Sequence, residues 1–304
     1  MVASRNKTEI RARAVATDVA IAVTTAVATL AAQLRARLPE KSPLWVGLSG
    51  GRDSVVLLHL CQKALPPGRV RALHVHHGLS PHADAWAAFC EQLCRDWGIP
   101  YTLKKVEVPR HDGQGVEAAA RHARYLAFQE SDAEYLALAH HRRDQAETLL
   151  FNLCRGAGVI GAAAMPHSRQ IGNLTLLRPL LDLNANVIAA YAAAEQLRWV
   201  EDESNADIGY SRNFLRHQIL PELTTRFPAA ESALARAARH FAVPFAGGKG
   251  GDVGYAVEAV LPEAQFALRE SQCKVAVGFA CQHCQLAQGF VQGCGFGGVP
   301  ALLS

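Results

Sequence analysis

One stretch near the start of the chain constrains the fold more than any other: Leu44–Leu60, LWVGLSGGRDSVVLLHL. The apolar run Leu44–Val46 has the composition of a buried strand, and the apolar residues from Val55 onward recur at helical spacing. Ser49-Gly50-Gly51 lies between these two segments. A strand, a glycine turn and a helix N-terminus in this order predict an anion site, because free N–H groups and the helix dipole both favour negative charge.

The complete string Ser49-Gly50-Gly51-Arg52-Asp53-Ser54 narrows the ligand. It lacks the Gly-Lys-Ser/Thr ending of the ordinary P-loop, which argues against a kinase or GTPase site. It resembles the pyrophosphate loop of the N-type ATP pyrophosphatases, which cleave ATP between the α and β phosphates. We therefore expect this loop to bind ATP, with Asp53 as a magnesium ligand or an orienting group. The predicted ATP contacts in the loop are Ser49, Gly50, Gly51, Arg52, Asp53 and Ser54.

Length and composition set wider limits. The chain has 304 residues and a net charge of +4, which suggests two domains and permits a polyanionic partner without requiring one. No stretch approaches the roughly 20 apolar residues of a membrane helix. Eight cysteines in a chain of this length do not suggest a disulfide scaffold, and no secretory signal is evident. We therefore expect a cytoplasmic protein with no membrane partner. Residues 1–43 are interpreted as a helical extension, in preference to a transit peptide.

Strand and helix patterns alternate after the glycine loop. This alternation predicts an α/β fold of Rossmann type, with a parallel sheet covered by helices on both faces. The predicted catalytic domain covers residues 44–221, and a small helical or irregular region follows over residues 222–304. The predicted strands after the first lie within residues 70–79, 99–108, 135–139 and 174–181, and the predicted helices within 81–97, 115–128, 140–153 and 187–197.

Two segments outside the loop are candidates for nucleotide contacts. His76 ends the second predicted strand, and ligands of open α/β sheets lie outside the carboxyl ends of the strands. A metal site on His74, His76 and His77 is less favoured, because no carboxylate or cysteine lies at close spacing. Arg155 and Gly156 begin a glycine-rich break after a predicted helix, where an arginine is a natural phosphate or ribose contact.

The run from His140 to Thr148 follows the fourth predicted strand. If a helix begins at His140, then His140, Asp144 and Glu147 lie on one face. An imidazole beside two carboxylates suits magnesium-assisted chemistry on phosphate, or proton handling. A polar first turn, in which acidic residues satisfy the helix dipole, is the alternative.

Two arginine-bearing segments are less specific. Glu117, Arg121 and Arg124 share one stripe of a predicted helix, and spacing alone favours a solvated face. Arg212 and Arg216 lie four residues apart beside Tyr210, a pattern compatible with RNA binding and with an ordinary surface.

In their order along the chain, these motifs resemble the tRNA(Ile)-lysidine synthases. Each motif is weak alone, but their shared order over residues 44–221 is specific. The matching pieces are Ser49–Ser54, His74–Ser80, Gly115–Tyr125, His140–Thr148, Arg155–Gly158, Arg178–Leu181 and Asp202–Arg216.

The resemblance implies an activity. ATP would adenylate the C2 oxygen of the wobble cytidine in tRNA(Ile) with a CAU anticodon, and the ε-amine of free L-lysine would then displace AMP. Magnesium held near Asp53 and Asp144 would offset the charge on the leaving pyrophosphate, and His140 or His141 would act as base. A homodimer is left open. The implied catalytic residues are Asp53, His140, His141, Asp144 and Glu147, and the implied substrate-binding residues are Glu117, Arg121, Arg124, Arg212, Asn213 and Arg216.

Two departures from the family pattern matter. Arg143 stands where the family usually has the first aspartate of a pair, and a cation there would weaken magnesium binding or impair catalysis. From about residue 244 the chain is glycine-rich and cannot be matched to the family. A zinc site there is less favoured than a divergent tail. The tail cysteines are Cys273, Cys281, Cys284 and Cys294.

Two alternatives to lysidine formation stay open. One is another tRNA-modifying enzyme of the same superfamily, of the 2-thiocytidine type, which needs cysteines near the active site. The other is a tRNA-binding relative with reduced or lost catalysis, which the arginine at position 143 and the unmatched tail suggest.

Overall fold

A computed structural model of the chain describes residues 23–108 and 116–242, without the side chain of Glu117. The residues before 23, the glycine-rich segment and the four tail cysteines lie outside the described residues. The predicted domain boundaries at 43/44 and 221/222 stay predictions.

The described residues alternate between strands and helices as the sequence predicts. The strands are β1 (Leu44–Gly47), β2 (Val70–His76), β3 (Tyr101–Lys105), β4 (Tyr135–Ala137), β5 (Ser168–Ile171) and β6 (Leu174–Leu177). The helices are α1 (described over 23–37), α2 (Arg52–Ala64), α3 (Ala83–Asp96), α4 (Val116–Gln129), α5 (Arg142–Cys154), α6 (Val159–Ala162), α7 (Ala185–Ala194), α8 (Ser211–Phe214), α9 (Leu220–Arg226) and α10 (Ala230–Ala242).

The strands form one sheet in the order β3-β2-β1-β4-β6-β5. All neighbouring pairs are parallel except β5 and β6, which are antiparallel. The predicted parallel α/β sheet is confirmed, and the antiparallel edge strand β5 was not predicted. Ile171 pairs with Leu174 across a two-residue loop that begins at Gly172, which has a φ of +59°. Gly-Asn between two short strands is a hairpin signal.

Helices cover both faces of the sheet. Alternate residues of each strand face opposite sides, and the apolar residues on each side pack against helices. On one face, Val46 of β1 is buried in a cluster that includes Leu34 of α1 and Leu58 of α2. On the other face, Trp45 of β1 is buried with Phe128 of α4. Each fully buried leucine of this kind contributes about 1.5–3 kcal/mol to folding. Helix α1 is therefore part of the packed core.

The topology places one crevice above the centre of the sheet. From β1 the chain first adds β2 and β3 on one side, and β4 then joins the opposite edge of β1. Ligands of open α/β sheets bind where the strand order reverses, outside the carboxyl ends of the strands. The loop after β1 and the residues after β4 therefore meet at this point.

The segment after α7 runs back over this crevice. It forms a 3₁₀ turn at Glu203–Ala206 and then α8, a π-helical turn at Leu215–Ile219, and α9. The π turn carries Arg216, and such turns are frequent at functional sites. Within residues 23–108 and 116–242, no helix has both the length and the apolar composition to span a membrane.

Candidate active site

The glycine loop between β1 and α2 depends on Gly50. Its φ is +88°, and its carbonyl accepts a hydrogen bond from the amide of Val200 at 3.0 Å. A Cβ at this position would lie 2.9 Å from Cγ2 of Val200 and 3.2 Å from Sγ of Cys90. Both the backbone conformation and the close packing therefore require glycine. Gly51 is the N-cap of α2, so the loop opens directly into a helix N-terminus.

The two serines of the loop hold its shape. Ser54 Oγ donates to the carbonyl of Gly51 at 2.8 Å and lies 3.0 Å from Ser49 Oγ. The amides of Ser49 and Gly51 donate to Ser54 Oγ and Ser49 Oγ at 3.2 and 3.3 Å. Both hydroxyls, which the sequence predicts as ATP contacts, thus brace the turn. Their predicted contact with phosphate stays a prediction.

His141 joins the glycine loop to helix α5. Its Nε2 lies 3.4 Å from Oδ2 of Asp53, and its Nδ1 lies 3.4 Å from Oδ2 of Asp144. Its amide donates to Oδ2 of Asp144 at 2.8 Å, which completes a capping box at the start of α5. One buried imidazole therefore lies between two carboxylates from different elements.

The charges around His141 shift its pKa and that of Asp53. Burial alone would lower the pKa of His141, but the hydrogen bond to Asp53 and the charges of Asp144 and Asp53 raise it above its usual value. Burial alone would raise the pKa of Asp53, but His141 and the guanidinium of Arg52 lower it. Arg52 Nε donates to Asp53 Oδ1 at 2.9 Å. Both shifts favour an ion pair between Asp53 and His141.

Arg216 clamps the two carboxylates of α5. Its Nε and Nη2 donate to Oε1 and Oε2 of Glu147 at 2.7 and 2.8 Å, and its Nη2 donates to Oδ1 of Asp144 at 3.0 Å. Glu147 is 1% exposed, and burial raises its pKa although Arg216 opposes the shift. The sequence predicts Arg216 as a substrate contact. In this structure it orients the predicted catalytic carboxylates.

The structure corrects the predicted helix face of His140, Asp144 and Glu147. Helix α5 begins at Arg142, so His140 precedes the N-cap and the neighbouring His141 takes the place beside the carboxylates. Burial lowers the pKa of His140 well below its usual value, and the charges of four arginines add to the effect. These arginines are Arg121, Arg124, Arg178 and Arg212.

Basic groups from α4 and the end of β6 form the surroundings of His140. Arg121 Nη2 lies 3.4 Å from the hydroxyl of Tyr125, and Arg124 Nε donates to His77 Nε2 at 3.3 Å. Arg178 is 2% exposed and donates to the carbonyl of Pro166 at 2.7 Å. Burial, together with the charge of Arg124, lowers the pKa of His77 to about 4. These cations suit a phosphate or a carboxylate.

His77, Tyr125 and Arg178 were not predicted as site residues. Each lies inside a motif that carries the family resemblance, but spacing along the chain does not show that His77 and Tyr125 contact two of the arginines around His140. His76, which was predicted, ends β2 at the expected edge of the sheet. It is 9% exposed, and its Nε2 lies 3.1 Å from Asp84 Oδ1.

Of the remaining predicted site residues, Arg155 and Gly156 lie away from the glycine loop, and Asn213 stabilises another element. Arg155 and Gly156 follow the opposite end of α5, and the helical rise puts Arg155 about 16 Å along the axis from Asp144. The structure therefore does not bring them to the loop. Asn213 donates to the carbonyls of Ser204 and Asp207 at 2.8 and 2.9 Å, so it braces the 3₁₀ turn. The side chain of Glu117 lies outside the described residues.

A scan against protein-family models matches residues 22–223 to the PP-loop domain. The chain belongs to the PP-loop family. This match covers the glycine loop, His141, both carboxylates of α5 and Arg216.

Curated relatives of this PP-loop chain carry the name tRNA(Ile)-lysidine synthase. The chain is 47% identical to the one from Burkholderia mallei over 211 residues, which are 67% of this chain and 43% of the relative. It is 50% identical to the one from Chromobacterium violaceum over 197 residues, which are 64% of this chain and 45% of the relative. The chain therefore spans slightly under half the length of these relatives.

A solved structure supports the PP-loop fold. The U34-tRNA thiolase NcsA from Methanococcus maripaludis matches with a TM-score of 0.59 and 18% identity, over 72% of this chain and 78% of that chain. At this identity the likeness shows the fold alone.

Arg143, where the resemblance implies an acidic residue, pairs with a carboxylate of another helix. Arg143 Nε donates to Oε1 of Glu231 in α10 at 2.7 Å, and the Glu231 carboxylate is only 15% exposed. The charge of Arg143 is therefore matched by an acidic residue 88 positions later.

Asp53 and Asp144 have the donor type that magnesium prefers. Among the described residues, no group of three histidine, cysteine or acidic side chains is arranged for a metal. Magnesium in phosphate-processing sites uses one or two carboxylates and takes its other ligands from phosphates and water. Oδ1 of each residue therefore fits, provided that Arg52 and Arg216 release these two atoms, while Oδ2 of each stays with His141.

Proposed function

We propose that this PP-loop chain ligates free lysine onto C2 of the wobble cytidine of tRNA(Ile) with a CAU anticodon, through an adenylated intermediate. The observation that carries the proposal is the position of His141 between Asp53 of the glycine loop and Asp144 of α5. This position brings the proposed ATP-binding loop and a proton acceptor together in one crevice. The similarity to curated lysidine synthases supplies the substrate.

The loop geometry supports the first half of this reaction. A helix N-terminus preceded by a turn that only glycine can form offers backbone N–H groups to phosphate oxygens. Asp53 and Asp144 would hold magnesium, which when bound offsets the charge on the departing pyrophosphate. ATP is therefore proposed at this loop, and magnesium at this carboxylate pair.

His141 supports the second half. The ε-ammonium of lysine must lose a proton before it can attack C2, and an imidazole between two carboxylates is a stronger base than an isolated one. Asp53 and Asp144 stabilise the imidazolium that forms, as the aspartate does in a Ser-His-Asp triad. His140 is a weaker base, because burial and the arginines around it lower its pKa. We therefore assign the base to His141.

The 2-thiocytidine alternative finds little support in the described cysteines. Burial raises the pKa of Cys90 and Cys94 to about 12, which leaves no thiolate for sulfur transfer at neutral pH. Cys61 is also buried, and Cys154 is exposed at the far end of α5. The alternative of reduced or lost catalysis rested partly on the positive charge of Arg143. Because Glu231 pairs with this arginine, its charge is compensated, which weakens that argument.

We propose a cytoplasmic location for the protein, together with its tRNA substrate. The described residues of the site belong to one chain, so the proposal does not require a second copy, and a homodimer stays a prediction. Release of AMP in the presence of ATP, magnesium and a tRNA(Ile) transcript tests the proposal. We expect AMP release to depend on both lysine and tRNA, and to be lost in Asp53→Asn and Asp144→Asn. Lysine-independent release, or none by the unaltered chain, contradicts it.

A further inference from the structure

A row of side chains runs along one face of α5, from the catalytic carboxylates to the far end of the helix. Asp144, Thr148, Phe151 and Arg155 follow one another at spacings of four, three and four residues, which keeps them on one face. The helical rise makes this row about 16 Å long.

Arginines line this row around a single aromatic ring. The guanidinium of Arg155 lies 5.2 Å from the centroid of the Phe151 ring, and that of Arg212 lies 5.9 Å from it. Arg212 Nη2 also lies 3.4 Å from Thr148 Oγ1. Arg212 is one of the cations that lower the pKa of His140, so this stacked group adjoins the active site. Arginine planes stack on aromatic faces and retain donors for phosphate.

The far end of the row is open to solvent. Arg155 is exposed, and Val159 and Ile160 of the short helix α6 that follows are 66% and 60% exposed. Phe214 of α8 is 45% exposed. Single-stranded RNA presents the matching chemistry, because unpaired bases stack on aromatic rings and guanidinium planes while the phosphates pair with cations.

We propose that Phe151 and Arg155 of this row, with Arg212, bind the unpaired anticodon-loop nucleotides that flank the reacting cytidine, while Thr148, which is 3% exposed, supports Arg212 from below. This inference rests on the proposed function, since it gives the route by which the RNA reaches Asp144. The row can hold a few nucleotides at about 3.4 Å per stacked base. Base stacking here is sequence-tolerant, so the row positions the loop and leaves the choice of anticodon to other contacts.

The test measures the affinity of the full 304-residue chain for a tRNA(Ile) transcript at several salt concentrations, without ATP or lysine. Phe151→Ala is expected to weaken binding about tenfold, and Phe151→Trp to retain it. Arg155→Ala is expected to weaken binding and to reduce the slope of log affinity against log salt by about 0.7. Affinity for ATP alone and the melting temperature are measured on each variant.

A second pair of stacked arginine and phenylalanine side chains provides a matched control. The guanidinium of Arg226 lies 5.9 Å from the ring of Phe227, which is 60% exposed at the end of α9. Phe227→Ala and Arg226→Ala are expected to leave tRNA affinity unchanged.

The proposal is overturned if Phe151→Ala and Arg155→Ala bind tRNA as their controls do, or if the unaltered chain binds no tRNA. The proposal is also overturned if these variants have a lower melting temperature but unchanged tRNA affinity. That result would mean that the side chains pack against the protein and do not contact RNA. A chain that binds tRNA through Phe151 but makes no lysidine refutes the proposed function and supports this surface.

Discussion

Arg143 and Glu231 form an ion pair that joins α5, the helix of the proposed catalytic carboxylates, to α10. The two side chains meet at 2.7 Å although they lie 88 positions apart, and the carboxylate is largely shielded from water. The same guanidinium lines a cavity with Arg216, the residue that clamps Asp144 and Glu147. Arg143 is therefore part of the packing that supports the site.

The first prediction concerns this pair. Arg143→Asp introduces the acidic residue that the resemblance implies but faces Glu231 with a like charge, so we expect the free energy of unfolding to fall by about 1 kcal/mol. The exchange Arg143→Glu with Glu231→Arg should recover most of this loss. Urea unfolding of the two variants and the unaltered chain measures these free energies of unfolding. Higher turnover and unchanged stability in Arg143→Asp would show instead that the arginine impairs the site.

The second prediction concerns Gly50. Gly50→Ala strains the backbone at φ +88° and drives the new Cβ toward Val200 and Cys90, so we expect loss of stability and at least tenfold weaker ATP binding. Gly68 provides the control, because its φ is +79° and a Cβ there meets nothing within 4 Å. Gly68→Ala should show the backbone strain alone and normal ATP affinity. Equal ATP affinity in the two variants would mean that the loop does not hold the nucleotide.

The third prediction concerns the clamp on Glu147. Arg216→Ala leaves a carboxylate that is 1% exposed without its bidentate partner, at a cost of about 3–5 kcal/mol near neutral pH. Because the pKa of buried Glu147 is already raised, protonation relieves this cost, and the stability deficit should shrink as the pH falls toward and below 4.5. Denaturant melts of the variant and the parent at pH 7 and pH 4.5 measure the difference. A deficit that does not change with pH would argue against an uncompensated charge at Glu147.

The fourth prediction concerns the pH dependence of lysine transfer. As base, His141 must be neutral, so the rate should rise with pH through a pKa above 6.5. The same raised pKa makes His141 stabilise the fold below pH 6.5, and this contribution is lost as the pH rises through the folded-state value. Glu231→Gln, which changes a carboxylate away from the imidazole, should leave the rate profile in place. His141→Ala should abolish the rising limb, and a limb that persists in that variant would assign the base elsewhere.

Local patterns in the sequence predict much of this fold, because a strand, a glycine turn and a helix are specified by neighbouring residues. The glycine loop of Gly50 and the parallel order of most strands follow from such patterns. Strand β5 was missed because Ser168–Ile171 is a short, polar edge strand, although the Gly-Asn turn that follows it is a hairpin signal.

The site was harder to predict, because side-chain partners are set by tertiary packing. The position of a helix start decides whether His140 or His141 meets the carboxylates, and boundaries are less reliable than the existence of a helix. The partner of Arg143 is an acidic residue in α10, and nothing near Arg143 in the sequence indicates it. Arg216 is likewise predicted from the sequence as a substrate contact, and only the fold brings it onto Glu147.

The most direct test of the account is mass analysis of the nucleosides from a tRNA(Ile) transcript with a CAU anticodon, after incubation with the chain, ATP, magnesium and lysine. We predict that the wobble cytidine is replaced by a nucleoside heavier by one lysine less one water. Unmodified cytidine, or a product that contains sulfur in place of lysine, would contradict the account.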